Sequence, residues 1–97
     1  MKHIEIRPSW VFSNDAGEEV DHRLFGLLHA IHETGKLTSA AQRVGLSYRH
    51  AWNVIGRWSQ FFGADLVRLE QGRGAWLTSL GEKLIWAEAR ARARLLP

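Results

Sequence analysis

A chain of 97 residues, 45% hydrophobic and 24% charged, holds material for one small core and not for two. It contains no cysteine, which excludes disulfide frameworks, thiolate zinc sites and cysteine nucleophiles. No apolar run nears the roughly 20 residues that span a bilayer, and MKHIEIRPSW lacks the unbroken apolar stretch of a secretory signal, so a cytoplasmic protein with no membrane partner is expected. The net charge of +3 is lopsided: three basic residues face six acidic ones over 1–35, and ten face four over 36–97. Arg supplies ten of the thirteen cations, and its planar fork suits phosphates and guanine edges, so nucleic acid leads the partner classes, with an ordinary solvated surface as the alternative.

In chain order, Ile4, Ile6, Trp10 and Phe12 recur with period two, the pattern of a half-buried strand, and Pro8 makes it an edge strand. SNDAGEE reads as a turn. Val20, Leu24, Leu27, Leu28 and Ile31 then mark one face of a helix that Gly35 can end in the left-handed conformation. In LTSAAQRVGLS, Thr38 or Ser39 can cap a short helix, Ser39 with Gln42 fits a capping box, and Gly45 can close it. Ser47 caps a longer helix to about Gly63. A short helix, a tight turn and a longer helix make a helix-turn-helix. Leu66 to Glu70 and Ala75 to Thr78 then read as two strands around Gly72-Arg73-Gly74, and Ser79 with Glu82 as a capping box that opens a last helix.

Gly35-x-Leu37-Thr38-x-Ala40-Ala41, Ser47-Tyr48-Arg49-x-Ala51-Trp52 and Gly72-x-Gly74-x-x-Leu77-Thr78-x-x-Gly81, in that order, resemble the N-terminal DNA-binding domain of ModE-type regulators, the molybdate-responsive transcription factors. They are more loosely similar to that of LysR-type regulators, whose recognition helices usually begin differently from SYRHAW. The resemblance covers roughly Leu24 to Trp86. It implies an α+β, mainly helical fold: a winged helix-turn-helix with a two- or three-stranded wing sheet and a long C-terminal dimerisation helix at about 79–96, all one domain over 1–97. It implies double-stranded DNA as partner and a homodimer paired through that last helix, for which Leu80, Leu84, Ala87, Ala91 and Leu95 supply a stripe. It implies no cofactor in this chain; an oxyanion such as molybdate would need a further C-terminal domain.

On the longer helix, Ala51, Ile55, Trp58 and Phe62 share a face that should be buried, which turns Tyr48, Arg49, Trp52, Asn53 and Gly56 outward near the helix start, where recognition helices meet bases. Arg49 can fork onto guanine O6 and N7, and Asn53 can bond adenine N6 and N7. Tyr48 and Trp52 can add a phosphate hydrogen bond or an apolar contact to a thymine methyl, and Trp52 can equally pack under the wing. Thr38, Ser39 and Ser47 stand at helix starts that favour phosphate, though each can simply cap its own helix. Arg43 and Arg57 are either phosphate partners or solvated surface. Arg73, between two glycines, can enter a minor groove, or the tip is a glycine-rich turn and no more.

Two other chemistries lose. His29, His32, His22 and Glu33 lack clean metal-ligand spacing, so a solvent-facing histidine cluster is expected in place of a metal site. A triad would draw on Ser39 or Ser47 with His50, residues already assigned to caps, so no enzyme is expected. The function expected is sequence-specific duplex binding by a transcriptional regulator. The alternative is a winged-helix protein-interaction module without sequence-specific DNA binding, since fold alone does not fix function.

Overall fold

The structure is a computed structural model that describes residues 3–4, 11, 13–19, 21 and 23–95. The expected N-terminal strand, with Ile6, Trp10 and Phe12, lies outside the described residues, as do Val20 and His22. The turn that follows is present. Asn14 Oδ1 accepts the N–H groups of Ala16 and Glu18, both at 3.0 Å, Gly17 is left-handed at φ 82°, and Ser13 bridges Glu19.

Four helices and a hairpin follow: α1 (Arg23–Thr34), α2 (Leu37–Arg43), α3 (Tyr48–Phe62), β1 (Val67–Glu70), β2 (Gly74–Leu77) and α4 (Ser79–Leu95). The core forms around α1, whose Leu24, Leu27, Leu28 and Ile31 are fully buried, each such side chain contributing roughly 1.5–3 kcal/mol. Against it pack Leu37, Ala40 and Ala41 of α2, Ala51, Ile55 and Trp58 of α3, Leu66, then Ala75 and Leu77 of β2 and Ile85 of α4. The buried face of α3 is the expected one with Val54 added; Phe62 is only half-buried, edge-on to Phe61 at 5.0 Å.

The turn between α2 and α3 is set by Gly45, left-handed at φ 75°. Its N–H reaches Gln42 O at 3.2 Å and the Leu46 N–H reaches Ala41 O at 2.9 Å, the paired bonds of a Schellman ending. Gly63, at φ 76°, ends α3 in the same way. The wing is an antiparallel pair in which Val67 faces Leu77 and Glu70 faces Gly74. Ala75 and Leu77 point inward, while Trp76 and Arg68, opposite each other, point out.

Two caps differ from expectation. Leu37 is buried at the first position of α2, and this pulls the helix start forward, so Lys36 is the N-cap and Thr38 and Ser39 lie inside the helix. Ser39 and Gln42 form no capping box. At α4 the cap is Thr78, whose Oγ accepts the Gly81 N–H at 3.2 Å and donates to Asp65 O at 2.6 Å; Ser79 is already helical. Thr78 wins because that second bond ties the helix start to Asp65, two residues ahead of the wing's first strand.

Candidate nucleic-acid interface

Ser47 Oγ accepts the His50 N–H at 3.1 Å and starts α3 where the sequence places it, so its hydroxyl is used as a cap. One turn of helix then carries the aromatic and polar side chains outward. Tyr48 is 53% and Trp52 51% exposed, and Arg49 and Asn53 are exposed beside them. Tyr48, Trp52 and Gly56 form one line at four-residue intervals, and Arg49, Asn53 and Arg57 form the next.

The wing stands alongside this face. Between them lie two open clefts. One of about 600 Å³ is lined by Trp52, Ile55, Gly56 and Ser59 of α3 and by Val67 and Leu69 of β1. The other, of about 710 Å³, runs from Lys36, Leu37 and Thr38 past Tyr48 and Trp52 to Gly72, Arg73 and Gly74. Trp52 borders both, so it is not packed away beneath the wing. The wing tip is held close by β2: the Ala75 N–H donates to Gly35 O at 2.8 Å, and a Cβ on Gly74 would sit 2.4 Å from that same oxygen.

The remaining residues singled out from sequence fall into place as follows. Arg73 is exposed, its guanidinium 3.7 Å from Glu70, a loose contact in water. Arg49 forms no ion pair among the described residues, whereas Arg43 is held by Glu33 of α1, so its charge is already partly neutralised. Arg57 lies with its guanidinium 5.1 Å from the Trp58 ring centroid, a cation–π contact, at the edge of a small cleft with Glu18 and Phe61. Lys36, exposed and lining the larger cleft, went unnoticed in the sequence; a cation just ahead of a helix beside the turn was the available signal.

The face of α4 differs more. Its core side is Gly81, Ile85 and Glu88, so the stripe is turned partly aside: Leu80 and Leu84 are half-buried against the core, Ala91 is half-buried and Ala87 is exposed. The side chain of Leu95 lies outside the described ones. Trp86, 62% exposed and absent from the expected stripe, is the largest apolar group on this helix facing water. The expected solvent-facing histidine cluster is also corrected. His29 turns its Nε2 inward to 3.7 Å from the carboxylate of Glu88, which is 6% exposed and pairs on its other oxygen with Arg92. His32 is exposed, and no group of three metal-ligating side chains occurs among the described residues.

A tight helix-turn-helix with a glycine-tipped hairpin beside its second helix invites comparison with known regulators. The model of the bacterial regulatory helix-turn-helix proteins of the lysR family matches residues 22–82. This chain belongs to the lysR family of bacterial regulatory helix-turn-helix proteins. It is 43% identical over 65 residues to the molybdenum-pterin-binding protein MopB of Rhodobacter capsulatus, a match covering 63% of this chain and 24% of that protein. It is 36% identical over 69 residues to the transcriptional regulator ModE of Yersinia pestis, covering 67% of this chain and 26% of that protein. The chain thus matches about a quarter of the length of these relatives. Among solved structures, the DNA-bound CbnR DNA-binding domain has the same fold at a TM-score of 0.64 and 24% identity, with 77% of this chain and 84% of that chain covered. A probable transcriptional regulator from Pseudomonas aeruginosa superposes at 0.62 with 27% identity, over 77% of this chain and 25% of that one. The lysR-family assignment fits the observed fold: a winged helix-turn-helix of the ModE/LysR-like kind.

Proposed function

We propose that the chain binds duplex DNA in a sequence-specific manner as part of a transcriptional regulator, with α3 in the major groove and Arg73 of the wing at the adjoining minor groove. The observation that carries this is the outward face of α3. Arg49 and Asn53 are exposed at the helix start, have no side-chain partner among the described residues, and are suited to guanine and adenine edges. Tyr48 and Lys36 flank them, and the free N–H groups at the start of α3 add a partial positive charge. Arg43 and Arg57 are assigned weaker, positioning roles at phosphates because each already has a partner. Thr38 and Ser39, in the first turn of α2, face the same backbone; Ser47 serves chiefly as a cap.

In this reading the chain is not an enzyme, needs no cofactor of its own, and works in the cytoplasm as a homodimer. Support for pairing comes from α4, which leaves Ala87 and Trp86 exposed next to the half-buried Leu80, Leu84 and Ala91. Two-fold symmetry would then require an inverted-repeat site whose halves are about 34–36 Å apart, or a multiple of that.

A salt titration tests the proposal. Affinity for a duplex should fall steeply and linearly on a log–log plot as counterions are released from phosphates. A salt-independent affinity, or none, would overturn it and favour the protein-interaction reading, for which the exposed Trp52 and Tyr48 are the observation.

A further inference from the structure

Trp52 is placed unlike any other large aromatic of the described residues. It stands on the reading face of α3, half in water, as the partition between the two clefts that separate α3 from the wing. Packing does not account for it. Trp58, on the opposite side of the same helix, is 2% exposed and makes the edge contact with Phe61 at 5.1 Å that an indole in a core ordinarily makes. One turn beyond Trp52 the line Tyr48, Trp52, Gly56 ends in a glycine whose added Cβ would meet nothing within 4 Å. Gly56 has no positive φ either, so neither backbone conformation nor crowding within the chain calls for a glycine there. Helices disfavour glycine, which leaves the space itself as the use of the position.

The reading face of a duplex offers few groups that suit an indole. Major-groove edges present N7, O6, O4 and amino groups, each of which loses water for nothing against an apolar ring, and one apolar group, the C5 methyl of thymine. The single N–H of Trp52 can donate at most one neutral hydrogen bond to a phosphate, which leaves the apolar face of the indole unmatched, and side chains that wedge between base steps do so from the minor groove. Resting on the DNA-binding reading above, we infer that Trp52 is a specificity-determining residue that seats the C5 methyl of one thymine per half-site, and that Gly56 is the gap through which that base edge reaches the indole. Arg49 and Asn53 on the neighbouring line then read polar edges while Trp52 reads the apolar one.

The test begins with a site selected from random duplexes by the parent chain. Each thymine of that site is then exchanged singly for deoxyuridine, which removes the methyl and nothing else. At one position per half-site the parent should lose about fourfold in affinity, the factor carried by burying one methyl-sized group. Trp52→Gln should bind the thymine and uracil versions equally there, and Trp52→Phe should keep the preference. Gly56→Gln should melt no lower than the parent yet bind the selected site more weakly. Indifference of the parent to every exchange, or an undiminished preference in Trp52→Gln, overturns the inference while leaving DNA binding intact. A parent that selects no site at all overturns both.

Discussion

Gly56 and Gly81 both lie inside helices, and their surroundings are opposite. A Cβ at Gly56 meets open space, while a Cβ at Gly81 would stand 2.3 Å from Leu66 O, a backbone atom that cannot swing away. Gly56→Ala should therefore stabilise the fold by about 0.5–1 kcal/mol, the helix preference of alanine over glycine. Gly81→Ala should cost at least ~1–3 kcal/mol, because α4 must lift off the start of the wing. Urea unfolding of the two variants checks both signs. The motif glycine at position 81 was visible in the sequence, but its reason was not, since the oxygen it avoids lies fifteen residues earlier across a hairpin. At the reading face, Arg49→Ala and Asn53→Ala should each relax preference at one base position, by roughly 1–3 kcal/mol of discrimination, with the fold intact. Site selection from random duplexes by each variant, compared with the parent, measures it; selection of the parental motif by both would remove this face from base readout.

At the scale of elements, periodicity and glycine placement carried most of the fold. The faces of α1 and α3, the turn at Gly45 and the hairpin were legible because each depends on residues close in sequence. What was not legible depends on tertiary partners: Lys36 rather than Thr38 or Ser39 starts α2 because Leu37 is drawn into the core, and Thr78 rather than Ser79 caps α4 because Asp65 offers its carbonyl. The junction of α1 and α4 was missed entirely. Glu88 occupies a core-facing position on α4, where spacing alone suggests an apolar residue, and Arg92 one turn later with His29 across the junction is what makes it tolerable. Arg92→Ala should destabilise the chain by about 1 kcal/mol, the pair being discounted for Arg92's exposure. Adding Glu88→Met should recover that loss, since the orphaned carboxylate goes with it. Denaturation midpoints of the single and double variants decide; a double variant less stable than Arg92→Ala would show that the carboxylate itself holds the junction.

At the scale of the whole molecule, the clefts beside the outward face of α3 and the cleft beside Trp86 of α4 share no lining residue, so the proposed DNA binding and the proposed pairing should be separable. Ala87→Arg with Ala91→Arg should yield a folded monomer, whereas charges at Leu84 would disturb the core it touches. Such a monomer should bind an isolated half-site about as well as the parent and a two-half-site duplex far more weakly. Sedimentation with paired DNA titrations measures this; a parent that stays monomeric on the full site would remove the dimer from the account. The most direct measurement of the central claim is a residue-by-residue map of backbone amide NMR shifts as duplex is added to the parent chain. The shifts should concentrate on Lys36, Tyr48 to Gly56 and Gly72 to Gly74, with His29, His32 and Trp86 unmoved at the first additions. Shifts centred on His29, His32 and Trp86, with the start of α3 silent, would contradict it.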